Sequence, residues 1–155
     1  MAKISNTRLT QDLLHYKRIG IDSMCFIYQF ADNPRYSPLT HTLFTLMEQK
    51  KIAAVTSTVS VVEAFVQPEI KHDEFLLLEY EKFFTHLPNL EIVELDWHVA
   101  RLAAKLRATY KSLKTPDTIQ VAATLLKSYK AFLTNDEKLK QIKEVKVLQL
   151  DNYIE

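Results

Sequence analysis

The sequence is poor in glycine. Gly20 is the only glycine among 155 residues. No G-x-G-x-x-G or Walker A sequence can therefore occur, and the readings as a dinucleotide-cofactor or P-loop protein lose their main support. Gly20 stands inside an apolar run, where the missing side chain is predicted to let a helix approach a strand closely.

Cysteine, long apolar runs and net charge are also scarce. Cys25 is the only cysteine, so no internal disulfide is expected. There is no apolar signal core or membrane-length run, and the expected location is the cytoplasm. The formal charge is +1, but residues 99–147 hold 11 Lys/Arg against 4 Asp/Glu, a net of +7. This excess fits a solvated surface as well as it fits nucleic-acid binding.

The composition of the sequence and its alternation of apolar runs are typical of one α/β domain. A chain with 47% hydrophobic and 25% charged residues can enclose a core without disulfides. Strand-like apolar runs alternate with helical stretches, an order that favours a doubly wound parallel sheet covered by helices on both faces. The predicted strands are residues 18–22, 52–56, 91–95, 130–134 and 145–150.

Helix signals lie between these runs. Residues 72–87 predict one amphipathic helix, and Asp96 predicts an N-cap for the helix that starts at Trp97. Pro38 is placed as a first-turn residue. Ahead of the first strand, residues 1–17 predict a helical N-terminal extension, and residues 18–155 are predicted to form a single domain.

Several other side chains have plain structural interpretations. Cys25 is predicted to be a packed small hydrophobe. The five histidines follow no ligand pattern, which favours surface or local hydrogen-bonding roles. The aromatic side chains predicted to belong to the core are Tyr80, Phe83, Phe84 and Trp97.

Four acidic residues stand near the carboxyl ends of predicted strands, where open parallel sheets bind ligands. Asp22 ends the first strand, and Asp136 follows the fourth. Glu63 lies in the second turn of the helix after the second strand. Asp117 lies in the first turn of the helix that begins near Pro116. Each acid alone is more simply read as a helix cap or a solvated residue, but their joint placement predicts a shared site.

A shared site of four carboxylates requires a cation. Carboxylates ~5 Å apart at an effective dielectric of ~20 repel by roughly 3 kcal/mol per pair. Helix N-termini offset only about 0.3–1 kcal/mol each. Oxygen ligands without neighbouring histidine or cysteine suit Mg²⁺ or Mn²⁺. The sequence therefore predicts a divalent-metal site of the kind used in phosphoryl chemistry.

At these residues the sequence resembles the PIN-domain family, in particular the VapC-type toxins of toxin–antitoxin pairs. The resemblance spans residues 18–154. It rests on the order and spacing of Ile-Asp22-Ser, Val-Val-Glu63-Ala, Thr-Pro-Asp117-Thr-Ile-Gln-Val-Ala-Ala-Thr and Leu-Thr-Asn-Asp136. Many members continue Asp-Thr-Asn where this chain has Asp-Ser-Met, and the extension before the first strand is a second departure.

The resemblance implies a three-layer α/β/α fold with a central, mostly parallel five-stranded sheet. It also implies hydrolysis of RNA phosphodiester bonds by a metal-activated water. Carried over by position, the metal ligands and catalytic acids are Asp22, Glu63, Asp117 and Asp136. The neighbours expected to orient a carboxylate or a bound water are Ser23, Thr134 and Asn135.

The same resemblance implies partners, while the residues leave other functions open. A small antitoxin protein and a two-fold homodimer are the implied partners. One alternative is a PIN-fold partner-binding or regulatory module with little or no nuclease activity. Another is a phospho-accepting receiver domain, but that fold expects a carboxylate pair at the first strand, where Asp22 stands alone.

Overall fold

A single parallel sheet forms the centre of the protein. The computed structural model describes residues 6–154. The sheet has the strand order β3-β2-β1-β4-β5, and each neighbouring pair is parallel. Each strand begins within one residue of its predicted start, so the predicted sheet is confirmed. The strands are β1 (Arg18–Ile21), β2 (Ala53–Ser57), β3 (Leu90–Val93), β4 (Ala131–Thr134) and β5 (Lys146–Gln149).

Helices cover both faces of the sheet. Among residues 6–154 there are seven α-helices and two 3₁₀ helices, the latter at Glu137–Gln141 and Leu150–Tyr153. None of the seven is both long and apolar enough to cross a bilayer. The α-helices are α1 (Asn6–Tyr16), α2 (Ser23–Phe30), α3 (Ser37–Glu48), α4 (Thr58–Ile70), α5 (Glu74–His86), α6 (Trp97–Thr109) and α7 (Thr115–Leu126).

The side chains of the strands alternate between two apolar clusters. Ala131 and Leu133 of β4 pack into the cluster that includes α1 to α5, whereas Phe132 packs into the cluster of α6 and α7. This alternation follows from the two-residue period of a strand. The result is the predicted three-layer α/β/α arrangement.

Gly20 allows α7 to lie directly on β1. A Cβ built at this position would collide with the side chains of Thr124 on α7 and Phe132 on β4. The predicted close approach of a helix to this strand is therefore confirmed. Any other residue at position 20 would push α7, which carries Asp117, away from the sheet.

Helix α1 lies within the predicted extension and packs on the body of the protein. Leu9 and Leu13 are fully buried in the cluster that holds β1. The Tyr153 hydroxyl donates to Asp12 at 2.7 Å. Residues 1–5 lie outside the described residues, and the division into an extension and a domain stays a prediction.

The predicted helix starts are largely confirmed, and one predicted core residue is wrong. Asp96 caps α6 by accepting a hydrogen bond from the Val99 N–H at 2.9 Å. Pro38 lies in the first turn of α3, and Cys25 is fully buried.

Trp97, in contrast, was predicted to belong to the core and is 75% exposed. As the first residue of α6 it lies off the buried face of that helix. Of the other predicted core aromatics, Phe84 is buried, whereas Tyr80 and Phe83 are half-buried.

Candidate active site

The four predicted acids line one cavity of about 340 Å³ at the carboxyl edge of the sheet. Asp22 and Asp136 follow the central strands β1 and β4, while Glu63 and Asp117 come from the first two turns of α4 and α7. The structure thus brings together the residues that were predicted from strand ends. The full lining is Asp22, Ser23, Met24, Glu63, Lys114, Pro116, Asp117, Asp136 and Lys138.

Asp22 is the most buried acid of the cavity and is held from both sides. It caps α2, where its Oδ1 accepts a hydrogen bond from the Ser23 N–H at 2.8 Å. Its Oδ2 accepts from the Thr134 hydroxyl at 2.6 Å. The Ser23 hydroxyl donates to Glu63 Oε2 at 3.0 Å, and Thr134 Oγ1 accepts from the Asp136 N–H at 3.0 Å. Ser23 and Thr134 therefore link Asp22 to its acidic neighbours.

Burial makes ionisation of Asp22 costly. Removal from water is the main cause that raises its pKa to about 6, and the negative charges of Asp117 and Glu63 raise it further. The hydrogen bonds from Thr134 and Ser23 act in the opposite direction. Asp22 is thus a carboxylate whose charge is only partly compensated by the protein.

Asp117 and Asp136 are each held by the backbone of their own segment. Asp117, the third residue of α7, accepts a hydrogen bond from the Lys114 N–H at 3.2 Å. Burial raises its pKa, with Asp136 adding to the effect, while the Lys114 N–H and the ammonium groups of Lys114 and Lys138 lower it. Asp136 caps the 3₁₀ helix through the Lys138 N–H at 2.9 Å.

Asn135, predicted as a neighbour of the acids, does not line the cavity. Its Nδ2 donates to the Tyr28 hydroxyl at 3.4 Å, and its Oδ1 accepts from the Asp151 N–H at 3.0 Å. These contacts join the end of β4 to α2 and to the C-terminal 3₁₀ helix. The side chain of Asn135 therefore connects neighbouring elements and forms no hydrogen bond with the four acids.

The chemistry of the lining fits a hard divalent cation, although no coordination sphere is formed. Carboxylate and hydroxyl oxygens are the donors that Mg²⁺ and Mn²⁺ prefer. Two lysines against four carboxylates leave a formal charge of −2, which one divalent ion would neutralise. Within residues 6–154, however, no three His, Cys, Asp or Glu side chains are grouped closely enough to enclose a metal. Asp22, Asp117 and Asp136 are each bound by a backbone N–H of their own segment, so enclosing a metal would require side-chain movement.

Sequence reasoning missed a buried polar network behind the cavity. Gln120 lies one turn after Asp117, and its Oε1 accepts from the Ser57 hydroxyl at 2.9 Å and the Ser57 N–H at 3.1 Å. Its Nε2 donates to the Ser60 hydroxyl at 2.6 Å. Ser57 caps α4, and Ser60 lies one turn before Glu63. The network joins the two helices that carry Glu63 and Asp117. A glutamine inside the apolar run of α7 was the available signal.

Comparison with known proteins agrees with this architecture. The sequence matches the family model of the PIN domain over residues 19–145. No significant match is found among curated protein sequences.

Solved structures, among them a toxin–antitoxin complex, share the fold. A DNA-bound VapBC complex from Salmonella typhimurium has a chain that is 16% identical, with a TM-score of 0.68, covering 86% of this chain and 97% of that one. A toxin–antitoxin complex from Klebsiella pneumoniae gives 20% identity, a TM-score of 0.63 and the same coverage. FitAcB from Neisseria gonorrhoeae gives 15% identity and a TM-score of 0.63, again with 86% and 97% covered. Because the family match spans most of the sequence, the chain belongs to the PIN-domain family.

Proposed function

We propose that the protein is a metal-dependent endoribonuclease that hydrolyses RNA phosphodiester bonds. The observation that carries the proposal is the cavity at the carboxyl edge of a PIN-family sheet, which holds Asp22, Glu63, Asp117 and Asp136. Asp22 is buried there and forms no ion pair with a basic side chain of residues 6–154. An unpaired buried carboxylate is expensive unless a ligand balances it. Phosphodiester hydrolysis at Mg²⁺ or Mn²⁺ accounts for the acids better than a structural role does.

The residues of the cavity would have two roles, metal binding and orientation of the metal ligands. The four acids would hold Mg²⁺ or Mn²⁺, which when bound would neutralise phosphate charge and lower the pKa of a coordinated water. Ser23 and Thr134 fix the orientation of Asp22 through their hydroxyl groups. Such outer hydrogen bonds set ligand orientation and commonly affect metal affinity.

The test is cleavage of an RNA panel in Mg²⁺, in Mn²⁺ and in chelator. We expect Asp117→Asn to lose activity by on the order of 100-fold or more, because a ligand carboxylate is removed while its size is kept. Asp96→Asn is the matched control, since Asp96 is also a helix-start acid but lies outside the cavity. Circular dichroism would check that both variants fold. Cleavage that persists in chelator, or in Asp117→Asn at the wild-type rate, would contradict the proposal.

A second function is favoured by the spacing of the carboxylates, since within residues 6–154 no three acidic side chains are grouped closely enough to hold a metal ion. The protein would then be a PIN-fold module that binds a partner and cuts nothing. Calorimetry with Mn²⁺ separates the two functions, because the nuclease requires heat of binding that disappears in Asp22→Asn. A wild-type protein that neither binds Mn²⁺ nor cuts RNA would exclude the nuclease and favour the module.

We further propose that the exposed apolar stripe of α4 binds protein. Val62, Val66 and Ile70 are spaced four residues apart, so they share one face, and they are 66%, 45% and 64% exposed. Phe75 and Leu78 of α5 are 73% and 56% exposed. Apolar side chains exposed along one helix face are typical of an interface. A second copy of the chain and a small antitoxin are the proposed occupants, because the similar folds come from toxin–antitoxin complexes.

A further inference from the structure

Two lysines line the acidic cavity, although positive charge opposes the binding of a metal cation. Lys114 precedes α7, and Lys138 lies in the 3₁₀ helix after β4. The backbone N–H of Lys114 binds Asp117, and that of Lys138 binds Asp136. Each lysine is thereby fixed beside an acid through its main chain. Metal binding alone does not account for the two ammonium groups in this lining.

The ammonium groups of both lysines are available to a ligand. Neither forms an ion pair with any carboxylate of residues 6–154, although both lie near enough to lower the pKa of Asp117. Both residues are exposed. An anion that enters together with the metal would satisfy them, and a phosphodiester is the anion that the proposed reaction supplies.

The positive surface continues on the other side of the 3₁₀ helix Glu137–Gln141. Lys140 and Lys146 line a neighbouring cavity of about 320 Å³ that Lys138 does not reach. With three residues per turn, positions 138 and 140 face different sides of this helix. Lys140 has an exposed partner, Glu137, at 3.3 Å, but such pairs contribute little and exchange readily.

One hydrogen bond connects the linings of the two cavities. Gln149 of β5 lines the second cavity, and its Nε2 donates to the backbone oxygen of Asp136 at 2.8 Å. Asp136 itself lines the first cavity. Lys140 lies in that 3₁₀ helix, whereas Lys146 begins β5 and pairs with Ala131 at the amino end of the sheet. An RNA strand that leaves the acids over the 3₁₀ helix would therefore run along β5 to reach Lys146.

We infer that Lys114 and Lys138 position the phosphodiester backbone inside the acidic cavity, and that Lys140 and Lys146 hold the same RNA strand as it leaves across the 3₁₀ helix. This inference rests on the proposed ribonuclease function. All four lysines lie within residues 99–147, the segment with a net charge of +7. They bind phosphate as point charges and carry no base preference.

The experiment measures binding separately from cleavage. Fluorescence anisotropy with a labelled 12-nucleotide RNA is recorded from 50 to 300 mM salt, with Ca²⁺ in place of Mg²⁺, and a gel checks that the RNA is intact. The variants are K114Q/K138Q and K140Q/K146Q. The control is R101Q/K105Q, which removes two charges from a cavity on α6 that shares no residue with the other two.

Each lysine that contacts a phosphate contributes about 0.7 to the slope of log K against log salt. Each double variant is therefore expected to bind on the order of 20-fold more weakly near 100 mM salt, with a slope reduced by about 1.4. The control should change by less than twofold. The arginine variants K114R/K138R keep the charge and should restore the slope, which a purely structural role would not require.

Two results would overturn the inference. If K114Q/K138Q binds no more weakly than R101Q/K105Q, the lysines of the acidic cavity do not hold the backbone. If only K140Q/K146Q matches the control, the path across the 3₁₀ helix is wrong. Failure of the nuclease proposal gives a different result, since RNA would then bind through the lysines and stay intact with Mg²⁺ or Mn²⁺.

Discussion

Asp22 is a buried carboxylate whose negative charge weakens the fold that carries it. The folded protein binds the Asp22 proton more tightly than the unfolded chain does, because burial raises its pKa to about 6 from an ordinary value near 4. The stability associated with the protonated form is present at low pH and is lost as the pH rises through about 6. Two units of pKa correspond to about 3 kcal/mol.

We therefore predict that Asp22→Asn stabilises the metal-free protein at pH 7.5 by about 1–3 kcal/mol. The neutral amide keeps the size of the side chain and avoids the buried charge. Urea unfolding in chelator at pH 5 and pH 7.5 measures the effect, and the stability of the variant should change less between these two pH values. Added Mn²⁺ should stabilise the wild type and leave the variant unchanged.

Asp96→Asn is the control for this measurement, because asparagine and aspartate cap helices about equally well. Its free energy of unfolding should stay within about 0.5 kcal/mol of the wild type at both pH values. An Asp22→Asn variant that is less stable than the wild type at pH 7.5 in chelator would show that the hydrogen bonds from Thr134 and Ser23 outweigh the burial of the charge.

At the scale of single residues, the acids of the cavity were predictable from the sequence and its lysines were not. Asp22 and Asp136 could be located because the carboxyl ends of parallel strands share one edge of the sheet. Lys114 and Lys138 have no such rule, since a lysine in a basic segment looks the same whether its ammonium group faces solvent or a cavity. The role of Asp22 as the N-cap of α2 was also missed.

Among the elements, α4 and α7 must keep a fixed distance, because each carries one of the acids. Gln120 provides the link through Ser57 and Ser60, and all three residues are essentially inaccessible to water. Its partners are 63 and 60 positions away along the chain. Strand runs and caps are local patterns that a sequence displays, whereas a pairing over this separation emerges only from the packed structure.

We predict that Gln120→Leu destabilises the protein by about 1–3 kcal/mol, because the buried Ser57 N–H loses its acceptor. The same variant should bind Mn²⁺ more weakly, since Glu63 and Asp117 are no longer held in register. Urea unfolding and calorimetry measure the two effects.

Thr124→Val is the matched control for Gln120→Leu. Thr124 is buried on the same helix, but its hydroxyl donates only to the Gln120 backbone oxygen within α7. A smaller loss of stability with unchanged Mn²⁺ affinity is expected. If Gln120→Leu binds Mn²⁺ as tightly as Thr124→Val does, the network supports the fold and has no part in positioning the acids.

At the scale of the whole molecule, the apolar stripe of α4 exposes Val62, Val66 and Ile70 to water. We predict that the protein alone forms a dimer through this stripe, because Val62, Val66 and Ile70 become buried when two copies pack face to face. Light scattering after size exclusion at about 50 µM should give about twice the 18.0 kDa of the chain. Val62→Lys/Val66→Lys should give the monomer mass with an unchanged circular dichroism spectrum.

Leu126→Lys, at a 44% exposed position on α7, is the control and should leave the dimer intact. A wild-type protein that stays monomeric at this concentration would exclude the second copy as occupant and leave the stripe to a partner of another sequence.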